Sequence, residues 1–84
     1  MPNGKKIKKG KTMEIKDFEC FTVEVLYEES SVVYGAFINY EQAKKCFYDN
    51  KHKVNDRFHN GSYGIAIIGW KNGDHYTLDE WQID

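Results

Sequence analysis

The chain has one proline, one arginine and two cysteines among 84 residues, and no long apolar run. Each shortage excludes something. Cys20 and Cys46 are too few for the disulfide framework of a small secreted domain, so a reducing cytoplasm is the expected compartment. No stretch approaches the roughly 18 apolar residues of a membrane span. The basic N-terminus lacks the apolar segment of a signal peptide, so export is not indicated. Eleven of the twelve basic residues are lysine, whereas bidentate guanine and phosphate contacts usually take arginine's planar fork. A single arginine argues against sequence-specific nucleic-acid recognition.

What is present reads as one globular domain, 40% hydrophobic and 30% charged. It lies near the lower size limit of chains that fold without metals, disulfides or a partner. The formal charge of −1 hides a split. Residues 1–16 carry six lysines against Glu14, or +5, while residues 17–84 set six basic residues against twelve acids, or −6. Residues 1–16, which open on the polar, glycine-punctuated "MPNGKKIKKGKTM", are expected to form a disordered basic tail, and the domain to occupy residues 17–84. The plainer alternative is that the tail is a solvated leader, or no native part of the chain if Met13 is itself the start.

Periodicity supplies the fold class. In "FECFTVEVLY", Phe21, Val23, Val25 and Tyr27 alternate with Thr22, Glu24 and Leu26, a strand with one mostly polar face. "EESS" reads as a turn and "VVYGAFI" as a second strand. "NYEQAKKCFYDNKH" then takes helical period. Asn39 is its N-cap, Gln42 stands in capping-box position, and Ala43, Cys46, Phe47 and Asn50 share a stripe that Tyr40 extends. A polar segment of roughly ten residues follows as a loop. "YGIAIIGW" and "HYTLDEWQI" are two more strands around Asn72-Gly73, a strong hairpin signal. The expected architecture is α+β, order ββαββ: a four-stranded, mostly antiparallel sheet with one helix on one face.

The stretch richest in reactive side chains is "CFYDNKHKVNDRFHN", which holds one cysteine, two of the three histidines and the only arginine. Cys46 and His52 are six residues apart and His52 and His59 seven, without the close ligand pairs of a zinc site. Cys46 lies on the apolar stripe, where a small hydrophobe belongs and an accessible thiolate does not. Neither Asp49/Asp56 nor Asp79/Glu80 is singled out by spacing for acid–base work. "NGSYG" lacks the pattern and the lysine of a phosphate loop. No catalytic residue, metal or cofactor is assigned, and a non-enzymatic protein is expected.

Two surfaces remain. On simple alternation, the second strand is apolar on both faces, with Val33, Gly35 and Phe37 on one and Val32, Tyr34, Ala36 and Ile38 on the other. The third repeats this, with Ile65 and Ile67 opposite Ala66, Ile68 and Trp70. One helix covers one face, so the other calls for a loop, the tail, a twin subunit or another protein. Trp81 falls beside His75, Thr77 and Asp79 in the same count. The candidate protein-interaction residues are Tyr34, Trp70, His75 and Trp81. The second surface is cationic: Lys5, Lys6, Lys8, Lys9 and Lys11 in the tail, with Lys44, Lys45, Tyr48, Lys51 and His52 on the outer helix face. Lysines around an exposed aromatic suit a nucleic-acid backbone and a stacked base. The plainer alternative is a lysine-rich helix surface in which Glu41 pairs with Lys45.

The pattern "VEVLYEESSVVYGAFINYEQAKKCFYDN…YGIAIIGWKNGDHYTLDEW", over residues 19–83, resembles small uncharacterised proteins of bacteria and their phages. These share a hairpin, a helix of the "eqAkkcf" type and a second hairpin with an Asn-Gly turn. Abundant lysine, asparagine, isoleucine and tyrosine suit an AT-rich genome. Some small acidic phage proteins, anti-CRISPR proteins among them, inhibit host nucleases by direct binding. The double-faced strands and the acidic domain point to a protein-binding module, and the resemblance refines this to one that binds or inhibits a host protein. The alternative is a nucleic-acid accessory factor; a homodimer is compatible with the first.

Overall fold

A computed structural model describes residues 14–83; the expected disorder of the tail, and its lysines, lie outside the described residues. A single 3-10 turn at Ile15–Asp17 leads into β1 (Cys20–Tyr27), β2 (Ser30–Phe37), α1 (Tyr40–Lys51), β3 (Gly64–Lys71) and β4 (Asp74–Gln82). The strands form one sheet in the order β2-β1-β3-β4, every neighbouring pair antiparallel. The architecture is the ββαββ arrangement that the periodicity predicts. Strand order follows from the crossover: the chain leaves β2, passes through α1 across β1, and returns as β3 on the far side. The helix consequently packs on β1, β2 and β3.

Local chemistry explains the element ends. Asn39 Oδ1 accepts from the backbone N–H groups of Glu41 (2.7 Å) and Gln42 (3.2 Å), satisfying two of the donors that a helix start leaves free. Asn72 and Gly73 both take positive φ, 53° and 84°, as a two-residue hairpin turn matched to strand twist requires. Between the helix and the sheet lie Phe21, Val23, Val25, Ala43, Phe47, Val54, Ile65 and Ile67, all buried. Phe18 closes the end of this core by packing edge-on against Phe21 and Tyr76. A Cβ on Gly69 would stand 2.7 Å from the Phe18 ring, so the bare backbone there is what admits the ring.

The segment after the helix is more than a connection. Val54 and His59 are joined by a bridge and both are buried. Ser62 donates to the His59 carbonyl (2.6 Å) and accepts from the Asn55 N–H (2.8 Å), while Asn55 Oδ1 accepts from Gly61 N–H. Asn55 takes φ 62° to make this possible. Backbone groups that a free loop would give to water are thus paired internally.

Two β-bulges reassign the sheet faces. Val23 pairs with Gly35 but Glu24 with Val33, which leaves Tyr34 as an extra residue in β2. Ile67 pairs with Asp79 but Ile68 with Thr77, which leaves Leu78 extra in β4. Each inserted residue reverses the alternation beyond it. Val32, opposite Val25, therefore belongs to the helix side, and Val33, opposite Glu24, to the open side. Simple alternation groups Val33 with Gly35 and Phe37, and Val32 with Ala36; the bulge breaks both groupings. Trp81, opposite the buried Ile65, likewise lies on the helix side against the core and not beside His75 and Thr77.

Candidate protein-interaction surface

The open face is not the apolar surface that alternation suggests. Ala66 stands between Glu24 and Glu80, and Ile68 between Thr22 and Thr77. Both are nonetheless buried, at 2% and 7% exposure; Ala66 is flanked by two longer glutamates, and Ile68 by two threonines. A polar network spans three strands. Trp70 Nε1 donates to Thr22 Oγ1 (2.9 Å), Thr22 Oγ1 donates to Glu24 Oε2 (3.0 Å), and Ser31 Oγ donates to Glu24 Oε1 (3.0 Å). The centre of this face is sealed by its own residues.

The four residues expected to share an interaction face are divided. Trp70 and His75 are cross-strand partners on the open side, ring centroids 5.3 Å apart. Trp81 is on the helix side, with Lys51 Nζ 5.4 Å from its ring centre. Tyr34, the bulged residue, sets its ring edge-on to His59 of the connecting segment at 4.9 Å. Periodicity alone cannot separate them, because the bulges that do so depend on neighbouring strands.

What the structure exposes is β2, an outer strand of the sheet. Val32, Val33 and Tyr34 are 53%, 56% and 48% exposed. Val32 and Tyr34 reach the helix side and Val33 the open side, so the apolar surface straddles the strand edge. Nothing in Ser30–Phe37 is charged. The opposite edge differs: β4 carries Asp74, Asp79 and Glu80. Charge on an outer strand is a common guard against pairing with other chains. One edge has it and the other does not. Sequence holds this signal in the eight uncharged residues of β2, but only the strand order reveals that they form an edge.

The helix cations are largely engaged within the chain. Lys44 pairs with Glu41 (3.6 Å) and lies over Tyr40, and Lys45 pairs with Asp49 (2.9 Å). The expected Glu41–Lys45 pair is replaced by these two. The Asp49 carboxylate, by its hydrogen bond and its charge, raises the Lys45 pKa above the usual lysine value. Lys51 lies over both Tyr48 and Trp81, and His52 caps the helix end. A feature the sequence reading passed over is Phe58, 60% exposed, whose ring has Lys53 Nζ at 5.3 Å and the Arg57 guanidinium at 5.1 Å.

Cys46 is half-buried beside Gly35, where a Cβ would meet its Sγ at 3.4 Å. Burial pushes its thiol pKa up, partly opposed by a hydrogen bond from Asn50, and a neutral thiol is a poor nucleophile. Among the described residues no three potential ligands cluster to hold a metal ion, and there is no enclosed pocket. No helix among the described residues is long and apolar enough to cross a membrane. Comparison of the chain with protein-family models, curated proteins and solved structures found no match.

Proposed function

We propose that this chain is a small non-enzymatic protein-binding module that takes a strand of its partner onto the β2 edge. The observation that carries this reading is the exposure of apolar side chains on both sides of one uncharged outer strand. A partner docking on either face of the sheet would cover Val33 or the pair Val32 and Tyr34. An added strand covers all three, and its backbone pairs with the outward N–H and C=O groups of β2. Binding or inhibiting a bacterial host protein, as the sequence resemblance implies, is one use of such an edge.

The nucleic-acid reading rests on the tail. Residues 14–83 carry seven basic residues against twelve acids, or −5, and a polyanion is repelled by such a domain. The test is affinity capture from a bacterial lysate, with and without nuclease, using the full chain, a Val33→Lys variant and a chain starting at Met13. Strand addition predicts a protein retained after nuclease by the full and shortened chains and lost with Val33→Lys. Retention that disappears with nuclease, or with residues 1–12, would transfer the function to nucleic-acid binding.

A further inference from the structure

We infer that the strand added to β2 is the β2 of a second copy, paired antiparallel about a two-fold axis at Val32, so that two four-stranded sheets become one of eight. The inference rests on the strand-addition reading and names its partner.

Three features of the edge select a copy of itself. The first is where the alternation stays regular. From Ser30 to Tyr34 the side chains alternate between the two sides, and the bulge then places Gly35 on the same side as Tyr34. Two copies use the whole regular run only when Val32 lies on the axis. Val32 then meets its twin on the helix side. Ser31 stands opposite the partner copy's Val33 on the open side, and Ser30 opposite the partner copy's Tyr34. The Tyr34 ring reaches the diagonal valine, a contact that aromatic side chains make across paired strands. Val32, Val33 and Tyr34, the large exposed apolar residues of the strand, are all covered in this register.

The second feature is charge. Ser30–Phe37 has no charged side chain, so self-pairing sets no like charges opposite one another. The exposed acids Glu28 and Glu29 form the turn at one end of β2 only. With the axis at Val32, the two Glu29 residues are six strand positions apart, about 20 Å at the usual rise. That is well beyond the screening length of roughly 8 Å at physiological salt. A parallel pairing would bring the acidic turns together, so the arrangement must be antiparallel.

The third feature is closure. A β2-to-β2 contact uses the same surface on both chains and ends there, whereas β2 adding to β4 would propagate into a filament. The three acids on β4 disfavour the second arrangement. The dimer therefore presents β4 at both outer edges, and both are charged.

Val32 is more than half exposed, so its replacement leaves the monomer's core intact, and an axial position allows a charge-pairing test. Sedimentation equilibrium of the full chain should give twice the chain mass. Val32→Lys and Val32→Glu should each give the chain mass, because like charges meet on the axis. Their equimolar mixture should return to twice the chain mass as a heterodimer, which shows that both variants are folded. Val32→Cys should form a reducible dimer on mild oxidation, in yield well above the unsubstituted chain with Cys20 and Cys46. Dimers that persist in both charged variants would overturn β2 as the interface. A full chain that stays monomeric at millimolar concentration would overturn self-pairing. In that event, a captured lysate protein lost with Val33→Lys preserves strand addition to a different partner, and unchanged capture removes both readings.

Discussion

Gly69 shows how much a single hydrogen can decide in so small a core. Its missing Cβ is the space into which the Phe18 ring fits, and that ring is fixed by Phe21 and Tyr76. Gly69→Ala should destabilise the protein by about 1–3 kcal/mol, as overpacking of a filled interior does. The check is the denaturant midpoint, and an unchanged midpoint would mean that Phe18 moves aside freely. Cys46 gives a second prediction at this scale. Burial raises its pKa, so the folded chain holds the thiol proton more tightly than the unfolded chain. The resulting stability is complete below the ordinary cysteine pKa of about 8.5 and is lost as pH rises through the higher folded value. Alkylation of Cys46 at alkaline pH should be slower in the folded chain than in urea. Equal rates would show that the thiol is not shielded.

At the scale of elements, the helix depends on its first turn and on one face. Its interior includes Asn50, whose Nδ2 donates to the Cys46 carbonyl at 2.9 Å, and polar side chains bonded back to the helix add little. Asn39 therefore matters: Asn39→Ala removes the acceptor of the Glu41 and Gln42 N–H groups and should cost about 0.5–2 kcal/mol, measured by chemical denaturation. The same substitution by Asp should be nearly neutral, and an equal loss for both would implicate something other than the cap. The strands show a different dependence. The Asn72-Gly73 hairpin is visible in the sequence because its φ angles belong to those residue types. Neither bulge is, because each is a mismatch in count between two strands. "SSVVYGAF" contains nothing that marks Tyr34 as the extra residue. It becomes so when Val23 pairs with Gly35 and the tyrosine finds His59.

For the whole molecule, one helix on one sheet gives one core, and Phe47 is its largest fully buried side chain. Phe47→Ala should cost about 3–5 kcal/mol, a large part of the 5–15 kcal/mol typical of a domain. Tryptophan fluorescence, from Trp70 and Trp81, and far-ultraviolet circular dichroism should shift to lower denaturant together. Separate transitions would mean that the hairpins unfold independently. The surface is asymmetric at the same scale: one sheet edge is guarded by acids and the other is uncharged. That asymmetry, rather than an apolar face, is where a partner is expected.

The sequence by itself determined the elements, their order and the class of fold, because helix and strand periodicity, the Asn39 cap and the Asn-Gly turn act over a few neighbouring residues. It also determined that β2 carries no charge. Tertiary structure decided which strand lies at an edge, which side Val32, Val33 and Trp81 face, and why Ala66 and Ile68 need no second layer. The physical reason is range. A strand's face and its neighbours are set by hydrogen-bond registers between segments far apart in the chain, and one inserted residue in either partner reverses every side chain beyond it.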